Sequence, residues 1–133
     1  MIGVDERVEE ELELLRNWFT ENLDFNPDGR WIRIREYHIP SDLWVPLVVE
    51  VAFQIPEGIP GQAPYGFHVR PELNLASGGR INNYTSPTSN PWGDGWGTFS
   101  WQLQEWAPGA TARDGTNMVD FARSFADRFR EGA

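Results

Sequence analysis

Ser100 lies in the segment Gly97-Thr98-Phe99-Ser100-Trp101, at the end of a Gly-, Ser- and Asn-rich stretch and a few residues before Trp106-Ala107-Pro108. The 133 residues contain neither cysteine nor lysine, so a thiol nucleophile is excluded and Ser100 would have to act through its hydroxyl. A serine is a weak nucleophile until a base takes its proton. His38, His68, Asp94 and Glu105 are the candidate bases, and their spacing fixes none of them within hydrogen-bond reach. Thr98 is a substitute nucleophile two residues away. On residue type alone, Ser100 is an ordinary strand or turn serine that bonds the backbone.

Other chemistries are harder to build. Without cysteine there is no disulfide framework and no zinc–thiolate site. Two histidines and scattered carboxylates show no metal-ligand spacing, and no metal or other cofactor is expected. No Gly-x-Ser-x-Gly elbow is present. None of the glycines at 58, 61, 78, 79, 93, 95 and 97 leads into a Lys-Ser/Thr and a helix, as a phosphate loop would. A net charge of −9 argues against nucleic acid, whose affinity comes from clustered Lys and Arg. All eleven basic residues are arginine. Codon usage explains that simply; a carrier of an activated acyl group would also gain by lacking amines that attack it.

The elements that must position these residues follow from periodicity. Val4, Val8, Leu12, Leu15 and Phe19 form one apolar stripe of a helix over 4–20, with Asp5, Glu6, Glu9, Glu10 and Glu11 at its positive end. Asn26-Pro27-Asp28-Gly29 is a turn. Residues 31–39 alternate as a half-buried strand, and 45–55 form a second, β-branched one. Pro56-Glu57-Gly58-Ile59-Pro60-Gly61 breaks it, because proline cannot donate to a ladder. Tyr65, Phe67 and Val69 alternate in a third strand closed by Pro71. No period survives from Ala76 to Gly97, which reads as a long functional loop holding Tyr84, Trp92 and Trp96. Met118, Phe121, Ala122, Phe125 and Phe129 form the stripe of a helix over 116–130, with Asp114 or Thr116 as its cap and Gly132 just past its end. The expected class is α+β, one domain over residues 1–133 with helices on one side of an antiparallel meander. No apolar run approaches a membrane span, and the acidic N-terminus lacks signal-peptide order, so a cytoplasmic protein without membrane or nucleic-acid partners is expected.

In this order the motifs resemble those of ubiquitin-conjugating enzymes, most closely a prokaryotic branch of that superfamily. Ile59-Pro60-Gly61-Gln62-Ala63-Pro64 is similar to the proline turn of the family, Gly95 to Ser100 to the approach to its nucleophile, and Trp106-Ala107-Pro108 to its Trp-Ser-Pro. The resemblance implies the ubiquitin-conjugating fold: N-terminal helix, β-meander, long active-site loop, C-terminal helix. It implies two partners, a ubiquitin-like protein and its activating enzyme, in a bacterial pathway that looks like a defence against phage. It also implies roles. Ser100 would stand where the family keeps cysteine and accept the C-terminal acyl group of the ubiquitin-like protein as an oxyester. Asn82 or Asn83 would support the oxyanion in place of the missing His-Pro-Asn, with His68 or Asp94 as base. Trp92, Trp96, Trp101 and Tyr84 would hold the partner's tail.

Departures from the pattern keep other functions open. The family's cysteine is gone, the interval from Ser100 to Trp106 is short, and the first helix is acidic where the family's is often basic. A conjugating-type scaffold without catalysis, binding a ubiquitin-like protein or the activating enzyme, is the main alternative. A carbohydrate-binding module is a third, since Trp-, Asn- and Gly-rich loops suit sugar stacking.

Overall fold

The computed structural model describes residues 4–133, without the side chain of Val4, so that member of the expected stripe lies outside the described residues. Helix α1 spans Val4–Phe19. Val8, Leu12 and Leu15 are buried on it, as the stripe requires, and a 3-10 turn over Thr20–Asn22 ends it. Eight strands follow: β1 Leu23–Asn26, β2 Trp31–His38, β3 Trp44–Val45, β4 Val48–Gln54, β5 Phe67–Arg70, β6 Asn74–Leu75, β7 Tyr84–Asn90 and β8 Gly93–Phe99. Helix α2 spans Met118–Glu131. Six strands make one antiparallel sheet in the order β1-β2-β4-β5-β8-β7, while β3 and β6 pair separately. The architecture is α+β and consistent with the ubiquitin-conjugating fold. Among the described residues, no helix is long and apolar enough to cross a membrane.

The sheet's inner face and α2 make an aromatic core. Phe121, Phe125 and Phe129 recur on one face of the helix and are fully buried. Phe125 stacks on Phe67 with centroids 4.0 Å apart, and Phe53 and Phe99 complete the layer. Truncating such a phenylalanine costs about 3–5 kcal/mol. Buried polar atoms in the layer are answered: the Trp44 indole N–H donates to the Phe129 carbonyl at 2.7 Å, and the Tyr37 hydroxyl to the Ala122 carbonyl at 2.8 Å. A bulge between Ile34 and Tyr37 turns Tyr37 into this core, against the strict alternation expected for β2.

Two expectations are corrected. The stretch from Ala76 to Gly97 is mostly a hairpin, with only residues 76–83 left irregular. Its strands are polar and glycine-rich, and β7 carries Pro87, which an edge position tolerates. Register shifts on either side of Thr88 erase the period-two signal. The cap of α2 is Asn117: its side chain accepts the Asp120 N–H at 3.0 Å while the Asp120 carboxylate accepts the Asn117 N–H at 3.0 Å. Thr116 is occupied elsewhere, its Oγ1 accepting the Ala107 N–H, and Asp114 accepts from Thr111.

Candidate active site

Strand β8 brings Ser100 to its place. It runs antiparallel to β5, with His68 opposite Thr98 and Phe67 opposite Phe99. Side chains alternate along a strand, so Phe99 enters the core while Thr98 and Ser100 share the outer face with His68. Ser100 follows the last residue of β8 and is exposed. The same register sets Gly66 opposite it, and the Gly66 N–H donates to the Trp101 carbonyl at 2.7 Å. Gly66 has φ +78°, which favours glycine, and a Cβ there would press on the Phe99 carbonyl oxygen at 3.3 Å. On the other flank the Ser100 N–H donates to the Asn83 carbonyl at 2.9 Å. The Trp101 indole N–H donates to Ser124 Oγ on α2 at 2.9 Å, anchoring the segment beyond.

A cavity of about 120 Å3 opens here, lined chiefly by Trp31, Gln54, Tyr65, His68, Thr98 and Ser100. His68 is half-buried, with the Trp31 ring edge-on at 5.1 Å. Burial pushes its imidazole below the ordinary 6.5, so the ring is neutral at pH 7 and has a lone pair to offer. Asn90 Nδ2 lies 3.4 Å from His68 Nδ1, a long, weak contact that leaves the tautomer unfixed. The outer face around it is charged. Glu50 accepts from Arg70 at 2.7 Å and from Arg33 at 3.3 Å, and Asp24 accepts from Arg33 at 2.7 Å.

The other candidates divide. Asn83 is brought directly across from Ser100, with φ +56°, while Asn82 is tied by its backbone to the Ala133 carbonyl and to Arg128. Asp94 sits at the hairpin end of β8, about 20 Å along the strand from Ser100 at the usual rise, so the structure does not bring the two together. His38 ends β2 and lines a different groove beside Trp18 and Arg123. Glu105 is exposed and makes no hydrogen bond to Ser100 or His68. Thr98 Oγ1 donates to Thr88 Oγ1 at 2.8 Å, so its proton is engaged.

The aromatic residues sit differently from a tail-holding cluster. Trp96 is fully buried beneath the Arg70 guanidinium, 4.5 Å from its ring centroid. Trp92 faces Arg33 at 5.2 Å, and Tyr84 is turned inward: its hydroxyl accepts the Leu73 N–H at 3.0 Å, and its ring packs on Phe99. Trp101 is half-buried on α2. Sequence reasoning passed over Gln54, Tyr65 and the close approach at Gly66. The one signal was a glycine inside a strand pattern, which marks a place where backbones meet. Among the described residues no cluster of His, Asp or Glu could hold a metal.

The family model for prokaryotic E2 family E matches residues 15–118, a span that includes the whole large sheet, the cavity and Ser100. No curated protein and no solved structure matches the chain.

Proposed function

The chain belongs to prokaryotic E2 family E, and on that footing we propose that it is an acyl carrier of the conjugating type, taking the C-terminal acyl group of a ubiquitin-like protein from an activating enzyme's thioester onto Ser100. The Ser100 oxygen bonds to the carbonyl carbon, the carbon–sulfur bond breaks, and the hydroxyl proton ends on the departing sulfur. His68, neutral and lining the same cavity, is the group that carries that proton. Asn83, across from Ser100, is the donor for the developing oxyanion. The product is an oxyester, less activated than the thioester it comes from, so the transfer runs downhill. A chain without lysine offers its own ester no side-chain amine.

The observation that carries this reading is the exposed serine sharing one cavity with a neutral histidine. A second reading, a non-catalytic binder of the ubiquitin-like protein, draws on a different one. Among the described residues no carboxylate hydrogen-bonds His68, so the imidazole lacks the third group that orients a catalytic histidine.

A charging assay decides between them. The chain is incubated with a ubiquitin-like protein, its activating enzyme and ATP, and the adduct is challenged on a gel. An adduct that survives thiol reductant, dissolves in mild hydroxide and disappears in Ser100→Ala is the expected result. Binding without any adduct establishes the second reading.

A further inference from the structure

Arg128 lies where the apolar stripe of α2 calls for another hydrophobic side chain. Helical spacing sets it on the face of Phe121 and Phe125, and it is almost wholly buried. Among the described residues no carboxylate comes within ion-pair distance of it. Burial lowers its pKa below the ordinary 12.5, against the raising effect of Glu131, and a guanidinium keeps its proton in a protein. A buried cation without a counter-charge is costly unless its donors are well used. Here they serve the segment beside Ser100: Nη2 donates to the Asn82 carbonyl at 2.8 Å, and Nη1 to the Gly132 carbonyl at 2.6 Å.

We propose that Arg128 is a positioning residue for acyl transfer: from inside the core it holds Asn83 and Ser100 at the spacing that oxyanion donor and nucleophile require. The inference rests on Ser100 as acceptor and adds the group that keeps its surroundings in register. Arg128 makes no hydrogen bond to Ser100 itself and acts through the residues before Asn83 and before Ser100.

Two contacts converge on the pair. The peptide between Asn82 and Asn83 is planar, so a hydrogen bond to its oxygen fixes the plane from which Asn83 departs. Asn83 leaves that plane with φ +56° and presents its carbonyl to the Ser100 N–H at 2.9 Å. On the neighbouring strand the guanidinium lies over the Phe99 ring, 4.7 Å from its centroid, and Phe99 is bonded to Ser100. The Asn82 N–H donates to the Ala133 carbonyl at 3.1 Å, a second tie between the end of α2 and the irregular segment before β7. Lysine cannot take this place. Its compact ammonium lacks the planar fork that serves two carbonyls while lying flat on a ring.

The test pairs native-state amide hydrogen exchange with single-turnover charging, on the full chain and on Arg128→Lys and Arg128→Met, well below their unfolding midpoints. Exchange at the Ser100 and Asn82 amides should quicken about tenfold more than at Leu12 of α1, which reports global opening. The charging rate at saturating donor should fall by about 100-fold, the scale of a small misplacement, while the half-saturating donor concentration stays within about twofold. Should neither variant fold, the exchange comparison is made on Phe99→Leu, which removes the ring beneath the guanidinium; the same selective loss at Ser100 and Asn82 is expected. Equal quickening at Ser100, Asn82 and Leu12, or charging at the parent's maximal rate in a folded variant, overturns the proposal and leaves Ser100 as acceptor. Selective loss of protection with no adduct even in the parent sinks the acceptor reading and leaves Arg128 as the clamp on this strand pair.

Discussion

The Tyr84 hydroxyl occupies the space where a side chain at Gly97 would stand. Tyr84 pairs with Phe99 across β7 and β8 and reaches diagonally over Gly97, so a Cβ at position 97 would collide with the tyrosine's oxygen and ring. That oxygen also accepts the Leu73 N–H, so it is held in place. The contact locks the hairpin whose next pair is Asn83 and Ser100.

Gly97→Ala should therefore destabilise the fold by about 1–3 kcal/mol, the usual cost of overpacking. In a Tyr84→Ala background the same substitution should cost much less, since the blocking ring is gone. Urea unfolding of the four proteins gives the coupling directly. Additive losses would show that Tyr84 and Gly97 are not in contact.

Much of this was legible beforehand. The apolar stripes of both helices and the β-branched run of β4 follow from periodicity, because burial on one face leaves a period in the sequence. The hairpin left none: Pro, Asn, Asp and Gly in β7 and β8 are poor strand formers, and bulges shift the register. The same gap hid the site. Ser100 stands out by its neighbours in sequence, yet the cavity it shares with His68 depends on β5 lying beside β8, a pairing that alternation within one strand cannot specify. Trp96 misled for a related reason. The resemblance implied that it holds the partner's tail, whereas it is fully buried beneath Arg70 from another strand.

His68 should report its burial in its titration. Its folded value lies below 6.5, so the unfolded chain binds the proton first as the pH falls. The stability His68 contributes is complete above pH 6.5 and declines as the pH drops from there through the lowered folded value. A two-dimensional NMR titration, with the resonance assigned by its loss in His68→Gln, should show a midpoint under 6.5. A midpoint at or above 6.5 would contradict a desolvated imidazole.

Arg7 and Glu11 form a fully buried pair at 3.0 Å, and Glu11 also accepts the Met118 N–H at 2.9 Å, joining α1 to the start of α2. Burial raises the Glu11 carboxyl above its usual 4.5, against the lowering effect of those hydrogen bonds. Arg7→Met leaves that carboxylate buried without a counter-charge and should cost about 3–5 kcal/mol at pH 7. The loss should shrink at pH 4, where Glu11 takes up a proton and needs no partner. Urea midpoints of parent and variant at the two pH values measure it; a loss independent of pH would mean that packing, not charge, is what Arg7 supplies.

Asn83 offers a way to separate backbone from side chain beside Ser100. Its φ of +56° lies in the left-handed region, which glycine enters freely and alanine does not. Asn83→Gly should preserve the carbonyl that accepts the Ser100 N–H, and with it the fold, while Asn83→Ala should strain the turn. If the Asn83 amide donates to the oxyanion, both variants should slow adduct formation on Ser100 by about 100- to 1000-fold, as loss of one such donor does elsewhere. Single-turnover charging alongside thermal unfolding distinguishes the effects. A glycine variant that folds and charges at the parent rate would confine Asn83 to holding the strand, and would leave backbone N–H groups as the remaining donors for the oxyanion.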